Sequence, residues 1–131
     1  MKTLINFTFI GVIFVVFSTQ SVLAEYDWLK DSMLKISIET EEEMYEWEFE
    51  NPDEFEYEKG DMIWRGEKAK RSFEDILALI DLSEPELSET VINDVSKHYT
   101  GIKRLTIKRE RFDQPMQTWV WNNREDEKAQ F

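Results

Sequence analysis

The sequence predicts an α+β fold: an antiparallel sheet of about five or six strands with two helices packed on one face, in the order ββββ-αα-ββ. Three observations predict it. Apolar and polar residues alternate with a period of two from Leu34 to Tyr57, the mark of strands with one dry face. The period lengthens to that of a helix between Ala69 and Tyr99. Alternation then returns from Leu105 to Trp121.

The first strand is carried by Leu34, Ile36 and Ile38, which alternate with Lys35, Ser37 and Glu39. Polar Thr40–Glu43 turns the chain into Tyr45, Trp47 and Phe49, separated by Glu46, Glu48 and Glu50. Asn51-Pro52-Asp53-Glu54 has the residues of a type I turn, with proline fixing φ at its second position. Phe55 and Tyr57 resume the apolar face with Glu56 and Glu58 opposite. Lys59-Gly60 supplies a tight turn into a short fourth strand at Met62–Arg65.

Ala69, Phe73, Ile76, Leu77 and Ile80 fall on one side of a first helix. Ser83-Glu84-Pro85-Glu86 has the outline of a capping box, which places the start of a second helix there. Leu87, Val91, Val95 and Tyr99 make its apolar stripe, and Gly101 is the expected left-handed stop. Leu105 and Ile107 alternate with Arg104, Thr106 and Lys108 in a fifth strand. Asp113-Gln114-Pro115 is expected to turn the chain into a last strand at Met116–Trp121.

Residues 1–24 read as a cleaved signal peptide. Lys2 precedes an apolar run from Leu4 to Phe17, and Val22-Leu23-Ala24 has the small-residue pattern of a cleavage site. The apolar run falls short of the roughly 20 residues that a membrane span needs. The expected organisation is therefore a leader (1–24), a single α+β domain (25–121) and a polar C-terminal tail (122–131). The protein is expected to be exported, periplasmic or secreted, in a bacterium, with no membrane span after cleavage. It has no cysteine, so its stability must come from apolar burial, for which five Trp and four Tyr are available.

The formal net charge is −12, and its distribution is uneven. Residues 25–61 hold 15 acids against Lys30, Lys35 and Lys59, whereas residues 62–131 are close to balanced. Such a chain repels a phosphate backbone, which argues against nucleic acid and for a cationic partner. Most catalytic signatures are missing. Without cysteine there is no thiol nucleophile, and with His98 alone there is no paired-histidine metal site. His98 itself sits where a helix C-terminus favours a cation, which accounts for it without catalysis. No cofactor or metal is implied.

Two groups of residues remain as binding candidates. Glu46, Glu48, Glu56 and Glu58 project from one strand face, with neighbours along a strand roughly 7 Å apart, twice the rise per residue. Carboxylates at that spacing could receive a cationic protein or peptide, or serve as the acid and base of a glycan hydrolase. If Leu105 and Ile107 face the core, Arg104 and Lys108 share the face of Glu46 and Glu48 and would pair with them across neighbouring strands. Trp119 and Trp121 share one face of the last strand, either as core or as an exposed aromatic platform. The expectation is an exported non-enzymatic protein that binds a cationic protein or peptide. The alternatives are a small glycan hydrolase using paired carboxylates and a self-associating envelope protein, since an edge strand such as Met116–Trp121 invites pairing.

Overall fold

The computed structural model describes residues 26–123; the expected leader (1–24) and residues 124–131 of the expected tail lie outside the described residues. After a single 3-10 turn at Trp28–Lys30, the chain forms β1 (Asp31–Thr40), β2 (Met44–Glu50), β3 (Glu54–Lys59) and β4 (Met62–Arg65). Helices α1 (Glu67–Leu77) and α2 (Glu89–His98) follow, then β5 (Ile102–Arg111) and β6 (Gln114–Asn122). This is the expected ββββ-αα-ββ order. All neighbours are antiparallel, and the spatial order is β4-β3-β2-β1-β5-β6.

The long connection through both helices returns β5 to the free side of β1, so β1 becomes the centre of the sheet. Its Leu34, Ile36 and Ile38 are wholly buried, which is why this strand reads as the cleanest alternation. One rung runs the width of the dry face: Trp64, Tyr57, Trp47, Ile36, Ile107 and Trp119. At its β4 end the rings of Trp64, Tyr57 and Trp47 stack nearly parallel, with successive centroids 5.1 Å apart. Directly opposed aromatics of this kind stabilise a strand pair by roughly 0.2–1 kcal/mol each.

The helices cover that face only. α1 buries Ala69, Phe73, Ile76 and Leu77, and the Trp47 indole N–H donates to Ser72 Oγ at 2.9 Å, tying α1 to the sheet. α2 buries Val91, Ile92 and Val95, and Tyr99 after it meets Tyr45 edge-on at 4.9 Å. Trp28 closes one end of the core against Phe49, Phe55 and Phe73 at 4.7–5.0 Å. Removing a ring such as Phe49, with no exposed surface, would cost about 3–5 kcal/mol.

The turn between β2 and β3 lies where expected, at Asn51–Asp53, and its Asn51–Pro52 bond is cis. Several local expectations are corrected. The second helix starts at Ser88 and not at Ser83. Ser88 Oγ accepts from Val91 N–H, whereas Ser83 is held by Asp81, which accepts both its N–H and its hydroxyl. α1 stops at Leu77, leaving Ile80 half-buried in the following turn. The last turn is Phe112–Asp113, so Pro115 sits inside β6, tolerated because β6 is an edge strand. β6 also runs to Asn122, one residue past the expected boundary. Gly60 and Gly101 have φ of 55° and 73°, as their turn positions require.

Candidate functional site

Among the described residues no helix covers the polar face of the sheet, and its residues follow from the register. Successive residues alternate sides, so burial of Trp47 and Phe49 sends Glu46, Glu48 and Glu50 to the open face. Burial of Phe55 does the same for Glu54, Glu56 and Glu58 on β3. The register then sets Glu46 opposite Glu58, Glu48 opposite Glu56 and Glu50 opposite Glu54. Three alternate rungs, successive along this face, thus place like charges directly across a strand pair, an arrangement that destabilises a sheet.

The crowding is visible in Glu58, whose carboxyl is held above the ordinary glutamate value. A hydrogen bond with Glu56 is the largest cause, followed by desolvation and the charges of Glu46, Glu56 and Glu48. Among the described residues, compensating cations sit at the flanks. Lys35 on β1 lies 3.6 Å from Glu46, and Arg65 on β4 lies 3.4 Å from Glu56. Beyond Glu48 and Glu56, Glu50, Asp53, Glu54 and Arg65 border a shallow depression of about 520 Å³ at this end of the face.

The other half of the face differs. Arg104, Thr106 and Lys108 on β5 lie opposite Glu39, Ser37 and Lys35 on β1. With Glu46 they border a second depression of about 400 Å³. The expected pairing of Arg104 and Lys108 with Glu46 and Glu48 is therefore corrected. All four residues share one face, but β1 lies between their strands, and Lys35 is the cation that reaches Glu46.

The tryptophans point the other way. Trp119 is only 4% exposed; its indole N–H donates to the Glu84 carbonyl at 2.8 Å, and the Arg109 guanidinium lies 5.1 Å from its ring centre. Trp121 shares that face and is half-buried against the core. Of the two readings of Trp119, core or exposed platform, the structure bears out the core, because the chain between the helices reaches over β6 and its Glu84 carbonyl accepts from the indole. His98 is exposed in the last turn of α2. Among the described residues, no group of three or more acidic or histidine side chains converges as a metal-ligand set, and no helix is long and apolar enough to cross a membrane.

One charged cluster was missed by the sequence reading. Asp31 is wholly buried at the end of β1, where it accepts a short hydrogen bond from the Tyr26 hydroxyl and one from Arg111 Nε at 3.1 Å. Arg109, 7% exposed, donates to Gln117 Oε1 through Nε and Nη2 at 3.1 and 2.7 Å. The Tyr26 phenol is pushed up to about 12, first by burial and then by the hydrogen bond to Asp31. For Arg111, burial acts to lower the pKa, but the hydrogen bonds and charges of Asp31 and then Tyr26 together raise it above the ordinary value. A signal existed for the arginines, because Arg109 and Arg111 continue the inward parity of Leu105 and Ile107. None existed for Asp31, which turns inward through an irregularity between Asp31 and Met33. The cluster lies at the Asp31 end of β1, with Asp31 wholly buried and Arg111 part-exposed.

Comparison with family models, with curated proteins and with solved structures finds no match to this chain. A fold alone does not assign a function, so the reading rests on the site.

Proposed function

We propose that the chain is an exported, non-enzymatic binding protein that docks a cationic protein or peptide on the open face of β2 and β3. The observation that carries this reading is the run of three Glu–Glu rungs. A solvated face needs polar residues, but it does not need six glutamates set against each other, at a cost of roughly 0.2–1 kcal/mol per rung. Lysines or arginines from a partner, inserted between the strands' carboxylates, would convert that repulsion into charge-assisted contacts. The depression beside Glu48, Glu54 and Glu56 gives such side chains a place to enter. The rest of the open face carries cations of its own and would turn a basic ligand toward the β2–β3 half.

The test is binding of a lysine- and arginine-rich peptide, followed calorimetrically at two salt concentrations. We expect affinity to fall at least tenfold from about 0.05 M to about 0.5 M salt, as the screening length shrinks from well above to well below 10 Å. Glu48→Lys with Glu56→Lys should abolish binding. Glu84→Lys with Glu89→Lys, an equal charge change in the exposed loop and helix start of the opposite layer, should leave most of it. Equal losses in the two double variants would reduce the effect to net charge and overturn the proposal. Glycan turnover lost in Glu58→Gln would instead support the hydrolase reading, since Glu58 is the glutamate whose pKa is raised.

A further inference from the structure

We infer that β6 is a homodimerisation edge, at which two copies of the chain pair antiparallel through Thr118, Val120 and Asn122 into one continuous sheet. β6 is the last strand of the sheet, nine residues long, and among the described residues no element flanks its outer side. Exposed edge strands are ordinarily guarded by shortness, by charge or by an overlying segment. The opposite edge meets these conditions: β4 has four residues, follows Asp61, ends in Arg65, and leads straight into α1. β6 does not. In a chain that is 34% charged, residues 114–123 contain no charged side chain. Its open-face side chains include Met116 and Val120, 53% and 48% exposed, with Phe112 exposed in the adjoining turn.

The backbone pattern says which groups are available. Asn123 N–H donates to the Lys103 carbonyl at 2.9 Å, so that rung is a hydrogen-bonded one. Bonded and non-bonded rungs alternate in an antiparallel pair. Leu105–Trp121, Ile107–Trp119 and Arg109–Gln117 are then bonded, and Arg104–Asn122, Thr106–Val120 and Lys108–Thr118 are not. Thr118, Val120 and Asn122 therefore turn their N–H and C=O groups away from β5, toward the side on which no described strand lies. A twofold axis at Val120 sets Val120 against the partner's Val120, and Thr118 and Asn122 against the partner's Asn122 and the partner's Thr118. All three outward residues are used, for about six hydrogen bonds. Pro115 lies outside this stretch.

The occupant is a second copy because the charge distribution admits one. A chain with net charge −12 should repel itself, but β6 is neutral and the acidic strands lie far from it. β2 is the third strand in from β6, so in the dimer β2 and the partner's β2 are about 34 Å apart at about 4.8 Å per strand. That is several screening lengths at about 0.15 M salt. The pairing is isologous and uses the one long edge left open among the described residues, so it closes at two copies. It also leaves both β2–β3 faces open, one at each end of the doubled sheet.

Sedimentation equilibrium of the protein purified after expression of the full chain tests this. We expect the mass to double and then plateau as concentration rises into the high micromolar range. Val120→Pro removes an N–H that faces solvent in the single copy, a position where an edge strand accepts proline, and should weaken association at least tenfold with little change in the unfolding midpoint. Val120→Lys, which keeps the N–H but sets two ammonium groups together at the axis, should act in the same direction. Glu56→Lys should leave the mass unchanged while weakening peptide binding, which separates this inference from the proposed function. A wild-type protein that stays monomeric up to about 1 mM, growth beyond two copies, or undiminished association in both Val120 variants would overturn it.

Discussion

Replacing Glu54 and Glu58 together by glutamine removes one charge from two of the three Glu–Glu rungs and leaves the Glu56–Arg65 ion pair in place. Directly opposed like charges cost roughly 0.2–1 kcal/mol per pair, so the double variant should be more stable by about 0.4–2 kcal/mol. Opposed Cβ atoms lie about 4.5–5.5 Å apart, inside the screening length of about 8 Å at physiological salt, so part of the effect survives there. With a urea slope of about 2 kcal/mol per molar, the middle of the usual range, the midpoint should rise by about 0.2–1 M. Tryptophan fluorescence reports the transition, since Trp47 and Trp119 are buried. Salt should stabilise the wild type more than the variant. Acid should do so as well, and the sign follows from Glu58. Its pKa is raised in the fold, so its contribution is complete below the ordinary glutamate value of 4.5 and is lost as pH rises through the higher folded value. The advantage of the variant should therefore shrink as the solution is acidified toward pH 4.5. A variant with a lower midpoint at low salt, or an advantage indifferent to salt, would refute the repulsion and with it the argument for a cationic partner.

Two further outcomes concern the buried end of the core. Asp31→Ala leaves Arg111 and Tyr26 without their shared acceptor; breaking a buried pair costs about 3–5 kcal/mol, and the partial exposure of Arg111 brings this to about 2–4 kcal/mol. A cycle with Arg111→Met should show a coupling of at least about 1 kcal/mol, and simple additivity would show that the two do not act together. The phenols of Tyr26 and Tyr99 are both pushed up to about 12, in each case chiefly by burial. The fold favours their neutral forms, so their contribution is complete below pH 10 and is lost as pH rises from 10 toward about 12. Tyrosinate absorbance should lag that of free tyrosine and then rise with unfolding; ordinary titration of all four tyrosines in the folded protein would contradict the burial.

What was legible in the sequence is what one residue's parity decides. Tyr45, Trp47 and Phe49 alternate with glutamates, and the strand and its two faces follow, because a one-residue slip would bury every glutamate. Features decided by distant chain segments were not legible. Glu48 has Lys35 across from it and not Arg104, because the crossover through two helices delivers β5 to the far side of β1. Ser83 looks like a cap until Asp81 takes its hydrogen bonds, and Glu84 instead offers its carbonyl to Trp119. Asp31 is odd in parity among outward residues, yet a local irregularity buries it. In the same way, paired tryptophans on a strand name a face, but only the covering segment decides whether that face is dry.

The separation of the two faces has a consequence for function. On β2 and β3 the residues that specify the fold and those that specify the charge occupy opposite sides of the same backbone, one residue apart. Trp47, Phe49 and Phe55 would hold the sheet together whatever polar side chains stood at positions 46, 48 and 56, and threonine or lysine would do so with less repulsion. The rungs of glutamate thus contribute nothing that the core requires and oppose the strand pairing they sit on. On β1 and β5 the open face is mixed in sign, with Lys35, Ser37 and Glu39 facing Lys108, Thr106 and Arg104. A demand for solubility alone would act on both halves of the sheet alike. One rung between β1 and β5, Lys35 against Lys108, is also like-charged, but the run of Glu–Glu rungs is confined to β2 and β3, the pattern expected when a cationic partner, and not the solvent, sets the composition there.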